Sequence, residues 1–248
     1  MFCERGLAVG FFGRQLFLVV VLLASVSGLF AEGPTAFTAD PDTVVLWAFD
    51  EGEGMIFGDQ LGGIDLGVSR EPGEKEPAWI EGKFGKTLSL PGETILGGEY
   101  PEGNPPPDFS TGVTVEAWIK PSEEGMEKQM GILQWGNAFR WTIDATGKIT
   151  FLVAGQGDEG SETGVTSEQK LFCGEWSHVA GTHDGSVIRV FINGELAGER
   201  EFADNKLHQI SRGPVFIGVI SAEPKPYFIG DINGIRILNK ARTQFLAQ

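Results

Sequence analysis

Short alternations of apolar and polar residues run through most of the chain, and Gly, Asp or Asn bounds most of them. Residues 113–120 (VTVEAWIK) are typical, because Val113, Val115 and Ala117 fall on one face. Period-two alternation predicts β-strands, and helical periodicity is hard to find. Further strands are predicted at 44–49, 140–144, 148–153, 176–183, 187–192, 195–197, 215–219 and 227–238.

Two dipeptides predict tight hairpins between neighbouring strands. Asp184-Gly185 separates 176–183 from 187–192, and Asn193-Gly194 follows 187–192 directly. Asn-Gly is the strongest short hairpin signal, since both residues tolerate positive φ. Strands spaced by about ten residues, with little helix, predict an all-β fold built as a two-sheet antiparallel β-sandwich. The Pro-rich piece 101–107 is expected to be a loop inside one domain.

The first residues have the pattern of a targeting segment. Residues 1–14 are basic, and 16–31 (LFLVVVLLASVSGLFA) are apolar and then small. This order predicts a secretory signal peptide over 1–31, followed by a single domain over 32–248 without stable membrane insertion. An uncleaved anchor is the alternative, although a membrane span needs about 20 apolar residues. The lipid-bearing cysteine of a bacterial lipoprotein follows the apolar run, whereas Cys3 precedes it, so no lipobox is predicted. The protein is therefore expected to be secreted, at the cell surface or periplasmic.

Charge narrows the class of partner. The formal net charge is −15, from 19 basic and 34 acidic residues. Such a chain repels phosphate backbones and anionic lipids, so nucleic acid is excluded as the expected partner. A protein partner would carry basic residues. After cleavage Cys173 is the remaining cysteine, and a buried inert thiol is the expected state.

Five stretches, in this order, resemble the laminin-G-like, concanavalin A-like jelly-roll domains of bacterial surface and secreted proteins. They are LWAFDEGEG (46–54), GKFGKTLSL (82–90), VTVEAWIKP (113–121), WSHVAGTHDGSVIRVFINGELAG (176–198) and FIGDINGIRILNKAR (228–242). The resemblance implies a jelly roll with adjacent first and last strands, a glycan or protein ligand, and in many members calcium. The alternation itself predicts that Trp47, Trp118 and Trp176 are core anchors.

Paired carboxylates of the glucanase type are missing from the predicted strands. Glucanases with this jelly roll carry Glu-x-Asp-x-x-Glu or a near variant on one strand, where two carboxyls act as nucleophile and acid/base. Asp50, Glu51 and Glu53 lie in a turn, and Glu116 stands alone on its strand. The chain is therefore predicted not to be an enzyme. A glycan-cleaving enzyme stays the less favoured alternative, because carboxylates can converge from distant strands.

Calcium is the candidate cofactor, as a structural ion. Related domains often hold a cation where the acidic turn after the first strand meets the last strand, and here that turn supplies Asp50, Glu51 and Asp59. Asn233 replaces the aspartate usual in the last strand of those domains, and its amide oxygen can still bind calcium. These four residues are the candidate ligands. The alternative is that they cap turns.

Aromatic residues outside the framework stretches are the candidate ligand contacts. Sugar C–H faces pack on aromatic rings while hydroxyls take polar partners. Trp135 is the first choice, with Asn137 and Arg140 beside it, and Trp79 and Tyr227 follow. Core packing of Trp79 and Trp135 is the alternative.

The sequence as a whole predicts a secreted, non-catalytic module that binds a carbohydrate or an extracellular polymer. The alternative is an adhesion or structural domain that binds a cell-surface or extracellular protein. That alternative belongs to a different functional class, and the residues alone leave both open.

Overall fold

The computed structural model describes residues 35–69, 73–103, 105–154, 162–202 and 213–245. Within these ranges the chain forms sixteen strands and one short 3₁₀ helix, Gly125–Glu127. The strands are β1 (Thr43–Trp47), β2 (Ile56–Phe57), β3 (Leu66–Val68), β4 (Ala78–Gly82), β5 (Gly85–Pro91), β6 (Leu96–Gly98), β7 (Val113–Pro121), β8 (Met130–Trp135), β9 (Phe139–Ile143), β10 (Ile149–Ala154), β11 (Glu162–Thr166), β12 (Ser177–His183), β13 (Val187–Ile192), β14 (Glu195–Glu201), β15 (Val215–Ile217) and β16 (Ile229–Leu238). The predicted signal peptide, 1–31, lies outside the described residues.

The strands form two antiparallel sheets. Sheet A has the order β14-β13-β12-β7-β16-β5-β4, with β1 also paired to β16. Sheet B has the order β11-β10-β9-β8-β15-β6-β3-β2. The pairing of β1 with β16 places Trp47 opposite Ile235, so the first and last strands are adjacent. The prediction of an all-β, two-sheet antiparallel sandwich is confirmed. In the described part of the chain, no helix is long and apolar enough to cross a membrane.

The core lies between the two sheets and contains the side chains from one face of most strands. On β7 the residues Val113, Val115 and Ala117 point into it, as the alternation predicts. Trp47 is fully buried, and its Nε1 donates to the carbonyl of Ile64 at 2.7 Å. That hydrogen bond satisfies the one polar atom of a side chain that otherwise contributes apolar area.

The outer face of sheet A is also covered, here by segments near the two ends of the described chain. Trp118 lies on this face, 4% exposed, with its ring 5.5 Å from the ring of His178. Phe37 and Phe245 pack against His178 at 5.9 and 5.4 Å between ring centroids. This second layer explains why β7 is buried on both faces.

Two local expectations need correction. Trp176 precedes β12 and is only partly buried, with the ammonium of Lys120 5.5 Å from its ring centroid, so it is not a core anchor. Cys173 is exposed rather than buried. Both residues belong to the loop before β12, outside the strands.

Candidate ligand-binding groove

A row of residues crosses the outer face of sheet B. Gly67 on β3 lies opposite Gly97 on β6, and Gly97 lies opposite Phe216 on β15. Phe216 lies opposite Gln134 on β8, which in turn lies opposite Arg140 on β9. Residues directly opposite in an antiparallel pair point to the same face. The five positions span about 19 Å, at about 4.8 Å per strand.

Strand alternation fixes which residues of this region face outwards. On β15, Val215 and Ile217 are buried in the core, so Phe216 between them points away from it and is half-buried. On β8 the same alternation sends Trp135 inwards and Gln134 outwards. Trp135 is 1% exposed, and its ring lies 6.0 Å from the ring of Phe109. In this structure Trp135 is a core residue, which differs from the expectation that its ring faces a ligand.

Above this row lies a cavity with a volume of about 760 Å³. Gly67, Gly97 and Phe216 form its floor. Ligand pockets of this size are typically lined by apolar and aromatic groups with a few polar ones. This cavity, with its floor and the side chains around it, is called the sheet B groove below.

The two glycines keep the floor of the groove flat. A Cβ atom on Gly67 would meet nothing within 4 Å, so the space above it is open. A Cβ atom on Gly97 would lie 3.7 Å from the ring of Phe216, in ordinary van der Waals contact. A side chain at Gly67 would therefore begin in open space above the floor. The phenyl ring of Phe216 is the bulkiest side chain on this floor.

One side of the groove is the loop 219–227, and the loop is held against the sheet. The backbone N–H of Ser221 donates to Oε1 of Gln134 at 2.7 Å. Gln134 is 8% exposed, and its Nε2 donates to the carbonyl of Gly136 at 3.0 Å. The N–H of Gly131 donates to the carbonyl of Pro226 at 2.6 Å. The groove is therefore preformed, which lowers the ordering cost of binding.

A second cavity of about 480 Å³ lies on the other side of the same loop. Tyr227, one of the predicted ligand contacts, lines it. Glu223 and Lys225 line both cavities, so this loop forms the wall between the two cavities. Tyr227 is half-buried and lies beside Gly131 in an isolated bridge.

The remaining predicted contacts lie at separate places. Arg140 belongs to the row on sheet B, is half-buried and forms an ion pair with Glu162. Asn137 is exposed in the turn that follows β8. Trp79 is on β4, an edge strand of sheet A, with its ring centroid 5.7 Å from that of Phe57. The structure thus brings Arg140 onto the outer face of sheet B and leaves Trp79 on the other sheet.

Asp59, a candidate calcium ligand, is the centre of a turn. Its Oδ1 accepts hydrogen bonds from the backbone N–H groups of Leu46 at 2.9 Å and Leu61 at 3.1 Å. Its Oδ2 accepts from Gly63 at 2.9 Å and Ile64 at 3.2 Å. The carboxylate is 6% exposed, so backbone donors surround both oxygens. This arrangement matches the turn-cap alternative.

The other calcium candidates also accept from the backbone or face solvent. Oδ1 of Asn233 accepts from the N–H of Phe84 at 3.0 Å, and Oε1 of Glu51 accepts from Gly58 at 3.0 Å. Asp50 is exposed. Among the residues that the structure describes, no three His, Cys, Asp or Glu side chains are grouped to hold a metal ion. Calcium binding by this set stays a prediction.

A buried cluster of charge on sheet A escaped sequence reasoning. Glu116 on β7 is 2% exposed, and its Oε2 lies 2.9 Å from Nε2 of His178 on β12. Its Oε1 accepts from Nε of Arg236 on β16 at 2.7 Å. The three groups border a small cavity of about 110 Å³. Alternation predicts that Glu116 points out of the core, but only the register of three strands shows what it meets.

The cluster continues into the segments that cover sheet A. Nη1 of Arg236 donates to the carbonyl of Thr38 at 2.7 Å, and Nη2 of Arg242 donates to Oδ2 of Asp40 at 2.6 Å. Burial raises the pKa of Asp40, but hydrogen bonds from Arg242 and from the backbone of Asp42 outweigh it, and the pKa lies below its ordinary value. These contacts fasten 38–42 and 236–242 together. The cluster is therefore a structural one.

The sandwich, its adjacent first and last strands and its sequence pattern define a class of protein. A family model of the concanavalin A-like lectin/glucanases superfamily matches residues 100–245, more than half of the chain. The chain belongs to this superfamily. The sequence matches none of the curated proteins with which it was compared.

Several solved structures are similar to this chain. The binding domain of Paraclostridial mosquitocidal protein 1 has 14% identity and a TM-score of 0.60, covering 81% of this chain and 49% of that one. The binding domain of botulinum neurotoxin DC, in complex with rat synaptotagmin II, has 13% identity and a TM-score of 0.60, covering 81% and 49%. Botulinum neurotoxin type C, whose cell entry depends on two ganglioside molecules, has 14% identity and a TM-score of 0.57. The match covers 81% of this chain and 48% of that one. This chain spans about half the length of those structures, and identities this low show the fold alone.

Proposed function

We propose that this protein is a non-catalytic, extracellular binding module and that the sheet B groove binds a carbohydrate chain. The observation that carries the proposal is the floor of the groove, where the ring of Phe216 lies beside two glycines under a cavity of about 760 Å³. An aromatic ring presented on a flat floor suits the C–H face of a sugar.

Polar groups around the floor complete the argument for a sugar. Ser69 lies at one side of the groove, and Ser221, Glu223 and Lys225 lie on the loop at the other. Hydroxyl, carboxylate and ammonium groups are donors and acceptors suited to sugar hydroxyls. Small-molecule sites usually consist of a mainly apolar surface with a few polar groups around it.

The chemistry of the buried charges supports binding without catalysis. Glu116 is the most enclosed carboxylate of the central strands, and His178 and Arg236 already occupy both of its oxygens. A carboxylate whose two oxygens are already paired offers neither of them to a ligand. The similar toxin structures are binding domains as well, which agrees with the proposal although their identities show only the fold.

A protein ligand is the second candidate, and one observation favours it. Ile56 on β2 lies opposite Gly67, at the end of the row on sheet B, and is 70% exposed. It continues the row of Gly67, Gly97 and Phe216, and contiguous exposed apolar surface marks protein interaction sites. The neurotoxin DC structure, for comparison, holds synaptotagmin II.

The groove is tested by affinity electrophoresis of the protein through gels that contain soluble glucans, galactans or mannans. We expect at least one polysaccharide to retard the protein. Phe216→Ala removes the ring and should weaken retardation by about tenfold, because losing one aromatic contact costs about 1.4 kcal/mol. Gly67→Val places a side chain in open space above the floor and should weaken retardation by occupying part of the room for a sugar.

Matched controls separate the groove from general effects. Leu152→Ala shortens a half-buried apolar side chain on the same face of sheet B, and Gly58→Val adds the same bulk at another open glycine. Both controls should bind like the wild type. If no polysaccharide retards the protein while an extracellular protein is retained in a Phe216-dependent way, the second candidate replaces the first.

A further inference from the structure

We infer that the second cavity, behind the loop 219–227, is a second sugar subsite and that one linear glycan fills it together with the sheet B groove. This inference rests on the proposed function, because it adds the length of the carbohydrate chain to the class of ligand. It is carried by the place where the two cavities meet, by the loop between them and by the residues that line each one.

The two cavities adjoin along two segments of the chain. In the loop, Glu223 and Lys225 line both of them. In the segment before β4, Glu74 lines the groove and its neighbour Lys75 lines the second cavity. The backbone N–H of Lys75 donates to the carbonyl of Glu93 at 2.7 Å, which holds this segment against the connection between β5 and β6. A ligand that leaves the groove across this boundary therefore enters the second cavity.

The loop between the cavities is a ridge that is fixed at both ends. Its residues 221–225 are exposed. At the start of the ridge a backbone N–H donates to Oε1 of Gln134 at 2.7 Å, and at its end the carbonyl of Pro226 accepts from the N–H of Gly131 at 2.6 Å. A Cβ atom on Gly131 would lie 2.6 Å from the backbone nitrogen of Ile220, so glycine lets the loop lie directly on β8. Both cavities are therefore separated before a ligand binds, and binding does not have to order the ridge.

Each cavity has one aromatic ring among its described lining residues, and the two rings belong to positions along the same strand. Phe216, in the groove, lies opposite Gln134 on β8, and Tyr227, in the second cavity, lies beside Gly131 on β8. Gln134 and Gly131 are three residues apart, which is about 10 Å at about 3.3 Å per residue. A single sugar ring is shorter than this separation, whereas successive rings of a linear glycan can pack on both aromatic side chains.

The lining of the second cavity resembles that of the groove in composition. Tyr227, Pro91 and Ile229 contribute apolar surface. Gln129 and Lys128 are exposed and contribute an amide and an ammonium group. These polar groups and the phenol of Tyr227 can donate hydrogen bonds to sugar hydroxyls. A further unit of the glycan would therefore find the same kinds of contact as the first.

The test measures how affinity depends on the length of the glycan. Length series of gluco-, galacto- and manno-oligosaccharides, from the single sugar upwards, compete with the polysaccharide that retards the protein in the affinity gel. For the wild type, the longest oligosaccharide should displace the protein at a concentration at least about tenfold lower than the single sugar does, because a second aromatic contact adds about 1.4 kcal/mol.

Substitutions at Tyr227 separate the second cavity from the groove. Tyr227→Ala should reduce the ratio of long-chain to single-sugar affinity about tenfold relative to the wild type, while the affinity for the single sugar stays the same. The matched control, Tyr227→Phe, keeps the ring and should keep the ratio. A longer chain offers more equivalent positions, but this advantage is the same in all variants and cancels in the comparison. If Tyr227→Ala unfolds at a lower temperature, Tyr227→Leu keeps apolar bulk without the flat ring and repeats the test.

The outcomes also separate this inference from the proposed function. An unchanged ratio in the variants that lack the ring would overturn the second subsite, and so would equal affinities of the wild type for the single sugar and the longest chain. In both cases the groove would still bind carbohydrate. If no polysaccharide retards the protein, the proposed function itself fails.

Discussion

Glu116 is a single charged side chain in a nearly dry position, and its partners determine its effect on stability. His178 and Arg236 reach its two oxygens within 2.9 Å. The desolvation of a buried ion pair offsets much of its attraction. Removing one member is different, because the partner charge stays buried without compensation.

Glu116→Ala should therefore lower the free energy of unfolding by about 3–5 kcal/mol. Urea denaturation followed by tryptophan fluorescence measures this change. Glu199→Ala is the matched control, since Glu199 is 57% exposed and lies 3.4 Å from Arg189. The control should cost less than about 1 kcal/mol. A loss for Glu116→Ala as small as that of the control would contradict the structural role of the cluster.

Two aromatic residues show what alternation can settle at the scale of a residue. Trp135 precedes a turn, which favoured an exposed position, but its parity with Leu133 on β8 sends it into the core. Phe216 lies between Val215 and Ile217, so three apolar residues in a row give no alternation. Only the sheet shows that Phe216 faces outwards.

At the scale of elements, aspartates close two of the hairpins. Oδ1 of Asp184, between β12 and β13, accepts from the N–H groups of Ser186 at 2.9 Å and Val187 at 2.8 Å. Burial raises the pKa of Asp184, but the hydrogen bond from Arg189 and the two backbone donors outweigh it, so the pKa lies below its ordinary value. Asp144 has the same role between β9 and β10, and its pKa is lowered in the same way.

The lowered pKa of Asp184 gives a pH dependence with a definite sign. In the unfolded chain the pKa of an aspartate is about 3.9. The stabilisation that the ionised Asp184 carboxylate contributes to the folded state is therefore complete above that value, and it is lost as the pH falls through the lower pKa of the folded state. Asp184→Asn should cost about 1 kcal/mol at pH 7. The difference from the wild type should shrink below about pH 4.

Denaturant titrations of both proteins between pH 7 and pH 2 measure this dependence. Asp50→Asn is the matched control, because Asp50 is an exposed aspartate outside the hairpins. Its difference from the wild type should stay within about 0.5 kcal/mol across this range. A constant difference between the wild type and Asp184→Asn across this range would contradict the electrostatic account.

At the scale of the whole molecule, the ends of the described chain and the groove lie on opposite faces of the sandwich. The segments 35–40 and 241–245 border the small cavity on the outer face of sheet A. The groove lies on the outer face of sheet B.

A calcium ion bound by the predicted ligands would link the turn after β1 to the last strand, β16, and would therefore affect the stability of the whole sandwich. Asp59 already accepts four backbone hydrogen bonds there. Asp59→Ala should lower the free energy of unfolding by about 2–4 kcal/mol, since bonds to charged groups contribute about 1.5–3 kcal/mol each and part is regained by water. If Asp59 acts as a turn cap alone, the loss should be equal in EDTA and in millimolar calcium; a larger loss in calcium would support the predicted site.

Thermal unfolding of the wild type under the same two conditions completes the test. A site filled at a hundred times its dissociation constant would add about 2.7 kcal/mol and raise the midpoint by several degrees. An unchanged midpoint would favour the turn-cap alternative, in which backbone donors alone use the candidate oxygens. A rise that disappears in Asp59→Ala would establish the calcium site.

The sequence by itself determined nine of the sixteen strands in the described residues, the hairpin turns and the two-sheet architecture. These features depend on neighbours in the chain: alternation sets which face of a strand is buried, and Asn193-Gly194 adopts positive φ at 52° and 84° as the hairpin requires. Tertiary structure decided the groove and the buried cluster. Gly67, Gly97 and Phe216 meet, as do Glu116 and Arg236, only through pairing between distant strands. Register across a sheet is fixed by the packing of the whole core, and so no local pattern contains it.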